Sequence, residues 1–303
     1  MFPDNNWYGH RYVLSNFCEV KDSPSYSNIQ HGWYKNFNFK HGQRKLISAP
    51  FLCWNKRIYD SCKINSIQNV SVIGSPFLYL NFDEIKNYNI LKTKSKGTIF
   101  FPAHSAPRSD LFMFKGKNPE TNQRINHNII LDEIEKKFPP PYQACIYFSD
   151  YEEKNILIYK ERGWETVCLG NRSNIFFLED FVKLVTNFDF VVCSDLNTAA
   201  FYSMYLKRKV RVMFEVNNRL INSIENNFNK HNKEIFYKNY PELYDEYLDS
   251  DTGYKLAKEE LGFYYKKNKS ELIKLLGWDK ISKKILSKFL TKLIDIKYGK
   301  LRY

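Results

Sequence analysis

The sequence predicts an α/β protein with two domains that face each other across a cleft, followed by a basic helical segment. Three observations indicate this fold. The 303 residues are enough for two modest domains. Apolar residues make up 43% of the chain and aromatic residues 17%, as in a globular protein. Between Gly97 and Phe214, short apolar runs alternate with stretches of helical spacing, which is typical of a parallel sheet.

The second domain carries the clearest elements. Gly163 is suited to end one of its helices, because glycine readily adopts the left-handed conformation found there. We expect four helices, in the segments "INHNIILDEIEKKF", "YEEKNILIYKERG", "FFLEDFVKLVTNF" and "NTAAFYSMYLKRK". We expect five parallel strands, at 98–101, 144–148, 165–169, 189–193 and 209–213.

The first domain is less regular. "ISAPFLCWNKRIYDSC" predicts a strand end, a loop and a helix, and "NVSVIGSPFLYL" predicts a strand that runs into Gly-Ser-Pro. The polar, lysine-rich stretch 83–97 predicts the crossing between domains. The expected organisation is an acceptor-side domain at 1–94, a nucleotide-donor domain at 95–220, and a helical segment at 221–303 that packs back on the first domain.

The net charge of +13 allows three kinds of partner, namely nucleic acid, an anionic membrane surface or an anionic substrate. The C-terminal segment predicts an amphipathic helix whose lysines cover its outer faces. Such a helix either packs on the core with solvated lysines or also rests on anionic lipid. Its apolar residues are Ile281, Ile285, Phe289 and Leu293, and its lysines are Lys280, Lys283, Lys284, Lys288 and Lys292.

The six cysteines form no Cys-x-x-Cys pair, which disfavours zinc binding and a redox pair. Cys145, Cys168 and Cys193 lie in or beside apolar runs, as buried thiols do. There is no apolar stretch of about 18 residues and no signal-peptide pattern at the start. We therefore expect a cytoplasmic protein, with the basic helix offering a peripheral attachment to the inner face of the cell membrane.

Two polar loops follow strands of the second domain. His104, Ser105 and Arg108 follow the first strand, and a second group follows the fourth strand and opens a helix. Because ligands of parallel sheets bind beyond the carboxyl ends of the strands, both loops should reach the same edge. A helix N-terminus with small residues in its first turn suits a phosphate. The second group is Ser194, Asp195, Asn197 and Thr198, which are also ordinary capping residues.

The first domain offers a candidate general base. His31 precedes Gly32 in a turn, and imidazole titrates near neutral pH. Asp22 and Asp60 are alternative bases. The neighbours Gln30, Trp33 and Tyr34 are candidates for binding an acceptor, the aromatic rings by stacking on sugar faces, although core packing explains such rings equally well.

These motifs resemble those of the GT-B glycosyltransferases, and specifically the bacterial envelope-polymer transferases of the CDP-glycerol glycerophosphotransferase type. The similar segments, over roughly residues 28–214, are "QHGW", "IGSPFLY", "IFFPAHS" and "VVCSDLNTAAFYSMYLKRKV". Bacterial sialyltransferases and Kdo transferases of similar architecture hold the CMP phosphate with a His and a Ser/Thr pair, which "PAHS" and "SDLNT" could supply. The resemblance implies two Rossmann-like domains and metal-independent sugar transfer, without a resident cofactor, to a surface glycan such as lipopolysaccharide or capsule.

Two departures from the polyol-phosphate enzymes disfavour a glycerol-phosphate donor and leave a sugar donor open, and the resemblance to sialyltransferases and Kdo transferases favours a CMP-sugar. Trp33 and Tyr34 follow Gly32 where those enzymes have Thr-Pro, and Ala-His-Ser stands where they have Thr-Trp-Arg. A CDP-polyol phosphotransferase is the alternative of the same architecture. A non-catalytic nucleic-acid-binding protein is the alternative of another class, which the charge favours and the lack of an aromatic RNA-binding motif disfavours.

Overall fold

The computed structural model describes residues 3–21, 24–34, 50–85, 95–102, 127–151, 153–213, 238–244 and 247–279. The chain forms two compact units, of which unit 1 contains residues 1–81 and 259–303, and unit 2 contains residues 82–258. The sequence-based boundaries were placed at 94/95 and 220/221 instead. The lysine-rich crossing and the basic C-terminal helix lie largely outside the described residues, because the structure describes neither 86–94 nor 280–303.

Unit 1 contains a small parallel sheet in the order β1-β2-β3. The first strand has only two residues, and periodicity did not predict it. It pairs in parallel with β2. Asn5 binds this strand as well, because its Oδ1 accepts the Ile29 N–H at 2.7 Å. The strands are β1 (Asn28–Ile29), β2 (Phe51–Cys53) and β3 (Val70–Val72), and the helices are α1 (His10–Phe17), α2 (Lys56–Ile64) and α8 (Lys269–Leu276).

Unit 2 contains a five-stranded sheet in the order β6-β5-β4-β7-β8, and every neighbouring pair is parallel. Counted within the unit, this is the 3-2-1-4-5 order of Rossmann-like folds. The predicted parallel sheet is thus confirmed. The strands are β4 (Thr98–Phe101), β5 (Tyr142–Cys145), β6 (Glu165–Val167), β7 (Phe190–Cys193) and β8 (Lys209–Val212); the helices are α3 (His127–Lys137), α4 (Glu153–Lys160), α5 (Phe177–Val185), α6 (Thr198–Tyr205) and α7 (Ser250–Glu260).

The position of β5 corrects the sequence-based range of 144–148. The strand begins two residues earlier, because Tyr142 and Gln143 pair with β4 although their side chains are only half-buried. It ends at Cys145, and the chain then turns where the N–H of Asp150 donates to the carbonyl of Tyr147 at 2.9 Å. The apolar run continues beyond the strand, so apolarity alone placed the strand too late.

The core of unit 2 lies between its sheet and helices and contains Phe100, Ile134, Ala144 and Val192.

All six cysteines are thiols, and five of them are buried, whereas Cys168 is half-buried. Burial raises the pKa of the Cys62 and Cys145 thiols to about 12. In the part of the chain that the structure describes, no helix is both long and apolar enough to cross a membrane.

Candidate functional site

The first cluster of candidate residues lies where β4 and β7 end, and we call it the β4–β7 edge (Pro102 and residues 194–198). These central strands are neighbours, and the chain leaves them toward opposite sides of the sheet. Rossmann-like folds bind ligands in the crevice at this switch point. His104, Ser105 and Arg108, which continue from β4, lie outside the described residues.

The loop after β7 leads directly into helix α6. Ser194 is fully buried and its N–H donates to the carbonyl of Phe101 at 3.1 Å, which ties the loop to β4. Asp195 is exposed, and its Oδ1 accepts the N–H of Leu196 at 2.7 Å. Asn197 caps the helix, because its Oδ1 accepts the N–H of Ala200 at 3.1 Å.

The start of α6 therefore has the geometry expected of an anion site. Its first turn contains Thr198, Ala199 and Ala200, and the two alanines leave little side-chain bulk around the backbone. The first N–H groups of a helix have no acceptor within the helix, and the helix dipole adds positive potential. The side chains of Asn197 and Thr198 are half-buried, so the turn is within reach of a ligand.

The second cluster lies at the end of β1, and we call it the β1 edge (Trp7, Gln30, His31 and Tyr34). Gln30 fixes the chain as it leaves the strand. Its Oε1 accepts the N–H of Trp54 at 3.0 Å, and its Nε2 donates to the carbonyl of Gly32 at 2.7 Å. These bonds, with the pairing of β1, set the position of His31, which the sequence had attributed to the turn at Gly32 alone.

His31 is half-buried and lies against two aromatic rings. The Trp7 ring is 5.0 Å from the imidazole at an angle of 83°, and the Tyr34 ring is 5.7 Å away at 84°. The Tyr34 Oη lies 3.2 Å from the imidazole Nδ1, within hydrogen-bonding distance. The imidazole thus has a defined orientation, which a general base requires.

Trp7 and a second histidine, His10, were missed by the sequence analysis. The segment between them contains Tyr8 and Gly9, both in the left-handed conformation. His10 is buried, and its Nδ1 has no hydrogen-bond partner among the described residues. Burial, and then the nearby His31, lower the pKa of His10 to about 3. The only sequence signal was "WYGHRY", in which aromatic residues, a glycine and a histidine are adjacent.

Glu260 connects the β1 edge to the C-terminal part of unit 1. Its Oε2 accepts the Nε1–H of Trp33 at 2.6 Å and pairs with Arg57 at 2.7 Å. Arg57 also donates to the carbonyl of Tyr34 at 2.9 Å and lies over the Trp33 ring. Gln30 and Trp33 are both buried, with their polar atoms bound within unit 1. Their hydrogen bonds therefore fix the backbone that carries His31 and Tyr34.

The ends of β2 and β3 are covered by the return segment, Glu259–Gly262. The N–H of Ser75 donates to the carbonyl of Leu261 at 2.7 Å. Gly262 adopts a φ of +73°, and a methyl group there would lie 1.7 Å from the carbonyl oxygen of Trp54. The backbone thus approaches β2 as closely as only glycine permits. The segment thus covers the ends of β2 and β3 with its backbone, and it reaches Trp33 beside the β1 edge with the Glu260 side chain.

The two alternative bases receive less support. Asp22 lies outside the described residues. Asp60 is exposed on α2 and pairs with Lys56, one turn earlier. The Asp-Ser-Asp stretch at the start of α7 was not among the predicted site residues. Asp249 caps that helix by accepting the N–H of Asp251 at 2.9 Å, and Asp251 lies 3.3 Å from Lys207.

No known family model matches the chain, and no curated protein matches it.

Proposed function

We propose that the protein is a glycosyltransferase that moves a sugar from a nucleotide-activated donor, a CMP-sugar being favoured, to a hydroxyl of a bacterial surface glycan. The observation that carries the proposal is the strand order of unit 2. Among the five strands, the two that precede the candidate donor loops are the pair that flank the switch point. The sequence had indicated these loops by their residue types, by their position after predicted strands and by the family resemblance, without knowledge of the strand order.

In this proposal, unit 2 binds the donor. The bond between the anomeric carbon of the sugar and the phosphate oxygen breaks, and the nucleotide leaves with additional negative charge. The N-terminus of α6 stabilises that charge through its N–H groups and dipole. Asn197 caps this turn and Thr198 is its first residue. Ser194 and Asp195 lie in the loop before it. His104, Ser105 and Arg108 supply further donors from the loop after β4.

Unit 1 binds the acceptor, and His31 is the general base. Its Nε2 takes the proton from the acceptor hydroxyl, whose oxygen forms the new bond to the anomeric carbon of the sugar. This role requires the tautomer in which Nδ1 carries the proton and donates to the Tyr34 oxygen, 3.2 Å away. Trp7 and Tyr34 offer aromatic surface to the acceptor sugar beside the imidazole.

The charge distribution of unit 1 supports this division of roles. Its helix α2 also begins at the end of a strand, and Asn55 caps it by accepting the N–H of Ile58 at 3.0 Å. However, the Asn55 Nδ2 lies 3.3 Å from the carboxylate of Glu260. A phosphate at this helix start would meet a negative charge. The corresponding place at α6 is therefore the better nucleotide site.

The experiment that tests the donor site exchanges Asn197 for Asp. The Asn197→Asp side chain still caps α6, since Asp and Asn are equally good caps, so the melting temperature should be retained. The added negative charge should weaken binding of CMP and CDP by at least about tenfold, measured by titration calorimetry. Asn268→Asp is the matched control, because Asn268 caps α8 in the same way, in unit 1. Equal affinity in both variants would contradict the donor site.

A donor screen separates the alternatives. A nucleotide present at 100 times its dissociation constant should stabilise the protein by about 2.7 kcal/mol, which raises the melting temperature. CMP, UDP, GDP and TDP should be compared, and the preferred nucleotide offered as its sugar conjugate and, for cytidine, as CDP-glycerol. Transfer of glycerol phosphate would indicate the polyol-phosphate alternative. A shift only with DNA or RNA would indicate the nucleic-acid-binding alternative.

A further inference from the structure

The segment that follows β5 carries two adjacent aromatic side chains, Tyr147 and Phe148. We call it the β5 loop (residues 146–151). β5 lies directly beside β4, and the strands are parallel, so this loop emerges at the same edge of the sheet as the α6 N-terminus. Tyr147 and Phe148 are adjacent in sequence and only half-buried, and their ring centroids are 4.6 Å apart.

The neighbouring surface is also apolar. Tyr151, at the end of the β5 loop, is 39% exposed and places its hydroxyl 3.4 Å from the carbonyl of Thr166. Ile175 and Phe176, which precede α5 on the connection from β6, are 43% and 45% exposed. Exposed apolar side chains on neighbouring connections at this edge of a sheet are typical of a surface that a ligand covers.

A polar pair lies beside the two rings. Asp150 is only 5% exposed, whereas Ser149 is exposed, and the Ser149 Oγ lies 3.3 Å from Oδ1 of Asp150. Since a carboxylate accepts hydrogen bonds, the serine hydroxyl donates to Asp150. Because Ser149 is exposed, its oxygen can still accept a hydrogen bond from a ligand hydroxyl. Asp150 therefore acts as a positioning residue for Ser149.

We propose that the β5 loop is the nucleoside platform of the donor site, on which the nucleobase stacks against Tyr147 and Phe148 while a ribose hydroxyl donates to Ser149. This inference rests on the proposed function and adds to it the residues that contact the nucleoside half of the donor. The phosphate remains at the α6 N-terminus. One strand, β4, lies between the strand that precedes the platform and the strand that precedes that helix start, which leaves room for separate base and phosphate contacts.

The chemistry of stacking makes the proposal specific. Every nucleobase has a π-face, so an aromatic platform strengthens binding without selecting the base. Phe148 should thus contribute equally to CMP and UMP, and any preference for cytosine must come from other residues. The platform should contribute nothing to ribose 5-phosphate, which has the sugar and the phosphate but no base.

The test compares ligands and variants by titration calorimetry on the full chain. Phe148→Leu retains the apolar bulk but removes the ring, so affinity for CMP and UMP should fall by a similar factor, about 5- to 100-fold. Affinity for ribose 5-phosphate should be unchanged, and Phe148→Trp should restore CMP binding. Leu157→Ala, which changes an exposed apolar residue of α4, is the control and should bind CMP like the unaltered protein.

The serine is tested with a second ligand pair. The unaltered protein should prefer CMP to 2′,3′-dideoxy-CMP, and Ser149→Ala should lose that preference. If the unaltered protein binds CMP and neither Phe148→Leu nor Ser149→Ala changes its affinity, the platform is refuted while the proposed function stands. If the unaltered protein binds no nucleotide, the proposed function fails and the platform fails with it. Capture of a lipid or a protein by this surface without nucleotide binding would have the same meaning.

Discussion

At the scale of single residues, two imidazoles of unit 1 have opposite environments. His10 is buried and stays neutral down to about pH 3, whereas His31 is half-buried at the end of a strand, between two aromatic rings. Burial disfavours the charged form of an imidazole, while partial exposure lets it exchange protons with a ligand. The location of each histidine in the fold, and not its residue type, determines which one suits catalysis.

His10 should make the protein acid-sensitive. Above about pH 6.5 the imidazole is neutral in both states, so the stability is full. Below it the unfolded chain takes up a proton that the folded chain excludes until pH about 3. The free energy of unfolding should therefore fall by up to about 1.4 kcal/mol per pH unit from this residue. Urea unfolding at pH 7, 6 and 5 should show a shallower decline in His10→Asn. An identical decline in both proteins would contradict a buried neutral His10.

His31→Gln should lower turnover by roughly 100- to 10,000-fold, the usual contribution of a general base. Donor affinity and melting temperature should stay nearly unchanged, because the side chain lies in unit 1 and is half-buried. Tyr34→Phe should cause a smaller loss, since the imidazole remains but its Nδ1 partner is removed. Initial-rate kinetics on both variants measure this. A lowered melting temperature with normal turnover per folded molecule would show that His31 only holds the turn.

At the scale of elements, the backbone of the return segment packs directly against the backbone after β2 and β3. It passes over β2 and β3 where two glycines in the left-handed conformation meet, Gly262 of the segment and Gly74 after β3. A methyl group on Gly74 would lie 2.9 Å from the carbonyl oxygen of Gly262, so the two backbones are in direct contact. The segment also brings Glu260 to Trp33 and Arg57. The segment thus joins β2 and β3 to the residues beside the β1 edge.

Gly262→Ala should destabilise unit 1 strongly. The new methyl group would overlap the Trp54 carbonyl oxygen, in addition to the cost of about 1–2 kcal/mol for a left-handed alanine. Gly163→Ala is the matched control, because Gly163 has a φ of +75° but nothing lies within 4 Å of the added methyl group. Thermal unfolding should show a far larger loss for Gly262→Ala. Equal losses would mean that conformation alone, without close approach, requires glycine at position 262.

Much of unit 2 could be predicted from sequence, because apolar runs and helical periodicity mark its strands and helices directly. The strand order could not be predicted, since periodicity identifies an element without naming its neighbours. The two-residue β1 carries too little signal to be recognised. Trp7 and Glu260 reach the β1 edge through contacts between distant parts of the chain, which no local pattern reveals. The residue types at the β4–β7 edge were recognisable because parallel strands place their following loops at one edge.

At the scale of the whole molecule, unit 1 is discontinuous in sequence, because residues 1–81 are completed by a segment that begins at Glu259. Helix α7 contains the division, since its last two residues belong to unit 1. The returning chain contributes the buried residues Leu272, Leu276 and Trp278. Its carbonyl at Leu276 accepts the N–H of Tyr26 at 2.9 Å. The core of unit 1 thus requires both parts of the chain.

A chain that ends at Lys258 should lose the fold of unit 1 and retain that of unit 2. It lacks the partners of Trp33, Arg57 and Ser75, and it exposes the apolar surface that the returning helix covers. A chain that ends at Asp279 is the control, because it keeps the segment. Amide hydrogen exchange should show lost protection in β1, β2 and β3 only for the shorter chain. Retained protection in those strands would show that residues 1–81 fold without the segment.

Because unit 1 is discontinuous, the order in which the two units can fold during synthesis is set. The ribosome synthesises residues 1–81 first and must then add residues 82–258 before it adds Glu259. At about 5–20 residues per second, this interval lasts roughly 9–35 s. Throughout it, the nascent chain presents the uncovered ends of β2 and β3, with the Trp54 carbonyl and the Ser75 N–H still without their later neighbours. Unit 2 is complete first in each round of synthesis, and the β1 edge acquires its contact with Glu260 only afterwards.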